Sequence, residues 1–132
     1  MKTLIIGGVA GGASCAARLR RLDEKAEIVI LERGEFISFA NCGLPYYIGG
    51  EITEKSNLTL QTPESFKARF NIEVRTFSEA VAIDTENKTA TVRDLKSGEE
   101  YNERYNSLVL SPGASPIRPK IEGIDSGKVF TL

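Results

Sequence analysis

Apolar and polar positions along the chain fall into short blocks with two different periods. Lys2 to Ile6 is a β-rich apolar run that ends at a cluster of glycines, Gly7, Gly8, Gly11 and Gly12. An alanine-rich stretch from Ala13 to Leu22 follows, with the composition of a helix. Glu27 to Leu31 then carries Ile28, Val29, Ile30 and Leu31 in succession, the pattern of a strand buried on both faces of a parallel sheet. Strand, tight turn, helix and strand in this order predict a βαβ unit.

The pattern breaks between Phe36 and Gly50 into aromatic, glycine and proline residues, which predicts a packed loop with one or two helical turns starting near Cys42. Thr62, Pro63 and Glu64 supply a cap, an N1 proline and a first-turn acid for a helix with Ser65 to Phe70 as its body. Ile72 to Arg75 reads as a third parallel strand. Alternation in Ala80 to Asp84, Thr89 to Leu95 and Glu100 to Tyr105, with turns at Glu86 to Lys88 and Lys96 to Glu99, predicts an antiparallel meander. Ser107 to Leu110 is a further apolar strand, ending in Ser111, Pro112, Gly113 and Ala114. The fold class is therefore α/β, a parallel sheet with a β-meander, without internal repeats or low-complexity segments.

Composition narrows the function. The 132 residues suit one domain. Hydrophobic residues make up 41%, charged residues 27%, and the mean hydropathy is -0.17, the balance of a soluble globular chain. Seventeen Lys and Arg face eighteen Asp and Glu, a formal charge of -1, which argues against nucleic acid as a partner. No apolar stretch approaches the ~20 residues of a membrane span, and no signal peptide is evident. Two cysteines in such a chain read as reduced thiols, so the expected compartment is the cytoplasm. Histidine is absent, so a site built from this chain alone lacks the usual proton shuttle and zinc ligand.

Gly7-Gly8-Val9-Ala10-Gly11-Gly12 matches G-x-G-x-x-G at its first and last glycines, with Val9 in the middle place. In that fingerprint the first glycine makes the tight turn, the middle one admits the pyrophosphate and the last allows close packing of helix on strand. Glu32 ends the second strand 20 residues after Gly12, the place of the acid that accepts hydrogen bonds from an adenosine ribose and repels a 2′-phosphate. Together these elements predict a dinucleotide site. The alternative is a glycine turn that serves helix packing alone.

Cys42 lies in Ser38-Phe39-Ala40-Asn41-Cys42-Gly43-Leu44-Pro45-Tyr46-Tyr47-Ile48-Gly49-Gly50. With the opening GGVAGG and the later LSPGA, this segment makes the whole chain resemble the pyridine nucleotide-disulfide oxidoreductases. Within them it is similar to the single-cysteine branch of coenzyme A-disulfide and coenzyme A-persulfide reductases. Dithiol members carry a second cysteine five residues after the first, where this chain has Tyr47. A lone thiol must pair with something external: coenzyme A, a persulfide sulfur, or oxygen as a sulfenic acid. A helix beginning just after Cys42 would favour the thiolate, the attacking species. Cys15, among Ala13, Ala16 and Ala17, reads as a packing residue, and Tyr46 and Tyr47 read as packing rather than as a tunnel lining.

The resemblance implies a Rossmann-like FAD-binding domain, with NADH or NADPH as the reductant of the full-length enzyme. The implied cofactor contacts are Gly7, Gly8, Val9, Ala10, Gly11, Gly12, Glu32, Arg33, Asn41, Cys42, Val81, Ser111, Pro112 and Gly113. Cys42 is the implied nucleophile. Ser14, Arg18 and Arg21 share one helix face by their spacing; with Ser38 and Asn41 they are the expected contacts of coenzyme A disulfide or persulfide. Electrons are expected to pass from the nicotinamide through FAD to a Cys42 mixed disulfide. The resemblance further implies a homodimer and makes the chain look like the N-terminal piece of a longer enzyme, inactive alone, with the nicotinamide domain, the rest of the FAD domain and the dimerisation domain beyond residue 132; a rhodanese domain follows in some members. An NADH oxidase cycling through sulfenic acid, and a non-catalytic nucleotide-binding or redox-sensing module, stay open beside the reductase.

Overall fold

Every residue of the second apolar run faces a packed layer, because its strand is covered on both sides. In the computed structural model, which describes residues 1–131, β1 (Lys2–Ile6) pairs in parallel with β2 (Glu27–Leu31), from Lys2 opposite Glu27 to Ile6 opposite Leu31. β3 (Glu73–Arg75) adds in parallel to the outer side of β2, and β7 (Ser107–Leu110) to the other side of β1. The sheet order is β3-β2-β1-β7. Residues of alternate parity point to opposite faces. Ile5, Ile28 and Ile30 meet Ala13 and Ala16 of α1 (Gly11–Leu22) and Phe66 of α3 (Pro63–Phe70). Leu4, Val29 and Leu31 meet Ala90, Val92 and Tyr105 on the other face.

That second cover is a three-stranded antiparallel meander, β4 (Ser78–Asp84), β5 (Thr89–Asp94) and β6 (Glu100–Arg104). The result is helices, parallel sheet and meander in three layers. β4 starts at Ser78, earlier than the alternation predicts, because the Ser78 N–H donates to the Glu32 carbonyl at 2.9 Å and fixes the strand to the end of β2. Val81 lies where the β4–β5 register shifts, between Ala80 and Ala82. β3 begins at Glu73, and Ile72 is instead fully buried in the helix-side core.

The local signals at α3 are realised as hydrogen bonds. Thr62 Oγ1 accepts from the Ser65 N–H at 3.2 Å and Ser65 Oγ accepts from the Thr62 N–H at 2.9 Å, a reciprocal cap that fixes the first turn. Asn71 closes the helix in a left-handed conformation, φ 49°, where asparagine is tolerated better than most residues. Arg20 ties α1 to this end: its guanidinium donates to the Phe70 carbonyl at 2.8 Å and the Asn71 carbonyl at 3.0 Å. Between β2 and α3 the loop forms a 3-10 turn at Asn41–Gly43, the short helix α2 (Leu44–Ile48), and a second 3-10 turn at Lys55–Leu58 that drives Leu58 into full burial.

Charged residues cross-link the two sheets at one end. Glu103 on β6 is only 8% exposed, and its carboxylate accepts from Lys2 of β1 and from Arg75 of β3. Arg75 also meets Glu73 at 2.7 Å, and Lys2 meets Glu27 at 2.8 Å. Burial pushes the Glu103 carboxyl up, but the hydrogen bonds from Lys2 and Arg75 outweigh that and hold it below its ordinary value of 4.5. A carboxyl depressed on folding stabilises the fold above its unfolded pKa and loses that contribution as pH falls through its folded one. Glu103→Gln is therefore expected to lower unfolding free energy by about 1–2 kcal/mol at pH 7, a value discounted because the partner cations are partly solvated. In denaturant titrations the gap from wild type should close as pH is taken downward from 4.5.

Candidate functional site

Two loops and a helix start meet at the carboxyl ends of β1, β2 and β7, and the absence of side chains sets how closely. Gly7 turns with φ 97°, and its N–H donates to the Leu31 carbonyl at 2.8 Å. A Cβ on Gly7 would lie 1.9 Å from the Ser111 carbonyl oxygen, and one on Gly12 would lie 1.8 Å from the Gly7 carbonyl oxygen. Both contacts are with backbone and cannot yield, so these two positions require glycine. A Cβ on Gly11 would meet Ser111 Oγ at 2.8 Å. α1 begins at Gly11, two residues before its alanine-rich body. Val9 stands in the middle fingerprint place with an unstrained backbone, outside the positive-φ positions.

The N-terminus of α1 is open to the cleft. Ala10 is its N-cap residue and offers no side-chain hydrogen bond, so the first-turn N–H groups and the positive end of the helix dipole are available to an anion. Glu32 faces this turn from the end of β2. Its Oε2 accepts from the buried Gly8 N–H at 2.7 Å and its Oε1 from the Gly34 N–H at 2.8 Å.

A cleft of about 560 Å³ runs over these groups. Gly7, Val9, Ala10, Gly11, Glu32, Arg33 and Asn41 line it together with Ser111, Pro112, Gly113 and Ala114. Gly8 and Gly12 lie buried beneath it. Val81 stands just past the stretch of β4 that lines the cleft, Ser78, Glu79 and Ala80. Those three carry no motif and are found only through the hydrogen bond from the Ser78 N–H to the Glu32 carbonyl, which carries the start of β4 to the end of β2. The cradle fits a dinucleotide: uncapped N–H groups for a pyrophosphate, a carboxylate for ribose hydroxyls, and glycine faces that a Cβ would fill.

A second cleft adjoins the first along Val9, Ala10 and Asn41, which line both. Cys42 lies in this second cleft, exposed and unpaired, within the Asn41–Gly43 turn that leads into α2. Ser14 and Ser38 share it. Ser38 adopts φ 49°, held there by its N–H on the Gly8 carbonyl at 3.1 Å and its carbonyl under the Leu60 N–H at 3.2 Å. Arg18 and Arg21 are exposed on α1, outside the lining of either cleft. The cation that does line the thiol cleft is Arg69 of α3, whose guanidinium stands 5.1 Å from the Phe70 ring centroid. Its spacing from Phe66, three residues on along the helix, was the available signal. Cys15 is half-buried in α1. The expectation that Tyr46 packs is corrected: it is 61% exposed, because the five-residue helix α2 buries none of its side chains. Tyr47 is half-buried. Among the described residues no cluster could hold a metal ion, and no helix is long and apolar enough to cross a membrane.

The steric contrast along the turn gives a test. Gly12→Ala is expected to cost at least about 2 kcal/mol of stability, since its Cβ must displace backbone. Val9→Ala should cost less than about 1 kcal/mol, the loss of half-buried methyl area. Denaturant melts of the two variants measure both.

The family model of pyridine nucleotide-disulphide oxidoreductases matches residues 1–132. The coenzyme A disulfide reductase of Staphylococcus haemolyticus (strain JCSC1435) is 43% identical over 131 residues, covering 99% of this chain and 29% of that protein. Among solved structures, reduced Bacillus anthracis CoADR-RHD aligns with a TM-score of 0.89 and 59% identity, over 94% of this chain and 22% of that one. The NAD-dependent persulfide reductase from A. fulgidus aligns with a TM-score of 0.89 and 40% identity, over 95% and 23%. The chain thus spans less than a third of the length of these relatives. On its sequence, its three-layer fold and its glycine turn, the chain belongs to the pyridine nucleotide-disulfide oxidoreductase family.

Proposed function

We propose that this chain supplies the FAD site and the redox thiol of an NAD(P)H-dependent reductase acting on coenzyme A disulfide or coenzyme A persulfide. The observation that carries this reading is the shared wall: Val9, Ala10 and Asn41 line both the nucleotide cleft and the cleft of the free thiol Cys42. The names of the relatives support the substrate class.

The first cleft, with Gly7, Val9, Ala10, Gly11 and Glu32 in its lining, would hold FAD, which would supply two-electron chemistry between a reduced nicotinamide and sulfur. The chain's own residues do the rest. The α1 N-terminus takes the pyrophosphate and Glu32 the ribose hydroxyls. The Cys42 thiolate attacks one sulfur of the disulfide; the S–S bond breaks, one coenzyme A leaves as thiolate, and the other stays in a mixed disulfide with Sγ. Two electrons and a proton then release the second thiol and restore Cys42. The carboxylate of Glu32 disfavours a phosphorylated ribose in this cleft. Ser14, Ser38 and Arg69 stand where polar and phosphate groups of coenzyme A could be met around the thiol.

In its oxidised form the full-length protein is expected to show a flavin band at ~450 nm, and on addition of reduced nicotinamide to release thiol from coenzyme A disulfide. Cys42→Ser should lower that turnover by at least about 10³-fold while the flavin band stays. Undiminished turnover would overturn the nucleophile assignment; oxygen consumed to peroxide or water without thiol release would favour the oxidase. Arg69→Gln is expected to raise KM for coenzyme A disulfide about five- to tenfold with kcat little changed, and to leave a disulfide without phosphates unaffected. Steady-state kinetics on the two substrates checks this.

A further inference from the structure

Both carboxylate oxygens and both backbone groups of Glu32 are hydrogen-bonded within the chain. It is 8% exposed at the end of β2. Its backbone N–H donates to the Arg75 carbonyl at 2.9 Å and its carbonyl accepts from the Ser78 N–H at 2.9 Å, so the chain entering β4 hangs on it. Its carboxylate takes the Gly8 N–H on one oxygen and the Gly34 N–H on the other, at 2.7 and 2.8 Å. One residue therefore joins three segments: its carboxylate binds the glycine turn and the loop after β2, and its backbone binds the β3–β4 corner. A role confined to a ribose hydroxyl calls for none of these bonds.

We propose that Glu32 is a positioning residue that holds the glycine turn in its binding shape before a nucleotide arrives. The Gly8 N–H is buried and would otherwise lose its hydrogen bond with water without replacement. A carboxylate is the acceptor that fits: it has about four lone-pair sites and no donor, so two N–H groups can be held while two sites remain for a ligand. Bonds to an ionised acceptor are roughly twice as strong as neutral ones. The turn is thereby preorganised, which lowers the ordering cost of binding. Glutamine at this place would set an NH₂ donor against an N–H donor at one of the two glycines.

The test is amide hydrogen exchange in the full-length protein, freed of nucleotide, so its result does not depend on FAD being the ligand. In wild type the Gly8 and Gly34 amides should exchange slowly; exchange at the unprotected rate at both would overturn the proposal without any variant. Glu32→Gln should speed both by at least about tenfold while Ala16 and Val29 stay as slow as in wild type. Unchanged protection at both glycines, with nucleotide affinity reduced, would make Glu32 a ribose ligand only and overturn the clamp. Glu32→Asp keeps the charge on an arm one methylene shorter and serves as the second variant if the amide does not fold. It should free at least one of the two glycines, and retention of both would overturn the proposal.

Discussion

The structure depends on a close approach of backbone to backbone. The Gly7 carbonyl lies where a Cβ of Gly12 would stand, and the Ser111 carbonyl where a Cβ of Gly7 would stand. These contacts bring the end of β1, the start of α1 and the end of β7 to one point. Because α1 can press onto the strand, its uncapped N-terminus opens directly into the cleft. A side chain at either glycine would push the helix away and carry the anion site with it.

Around that point, coverage on both faces stabilises the sheet. Isoleucines of β1 and β2 face the helices, while Leu4, Val29 and Leu31 face the meander. The meander is the less expected cover, since helices on both faces are the commoner arrangement for a parallel sheet. It brings Ser78, Glu79 and Ala80 to the cleft, and it brings Glu103 between Lys2 and Arg75. The same packing that completes the core thus supplies one wall of the site.

The two clefts place a polar, anion-receptive surface beside an exposed thiol. What separates them is thin: Val9 and Ala10 of the turn and Asn41 of the loop line both sides. Val9, in the middle fingerprint place, belongs to both walls, which glycine could not have supplied with a side chain. The short helix α2 after Cys42 buries none of its residues, so Tyr46 and Ile48 stay exposed on this chain.

The sequence by itself determined whatever depends on neighbours along the chain. The four apolar residues of β2, the cap and N1 proline of α3, the glycine turn and the acid at Glu32 are all local patterns, and periodicity or backbone chemistry exposes them. It also showed Cys42 with Tyr47, not a second cysteine, five residues on. Only the tertiary structure decided the contacts between distant segments: Glu32 holding Gly8, Ser78 pinned to β2, Arg69 rather than Arg18 or Arg21 lining the thiol cleft, and Tyr46 left bare. The physical reason is that a local pattern fixes which face of an element is apolar, whereas the groups that meet across a cleft are set by how those faces pack. A charge on a helix looks the same in sequence whether it points to water or to a thiol.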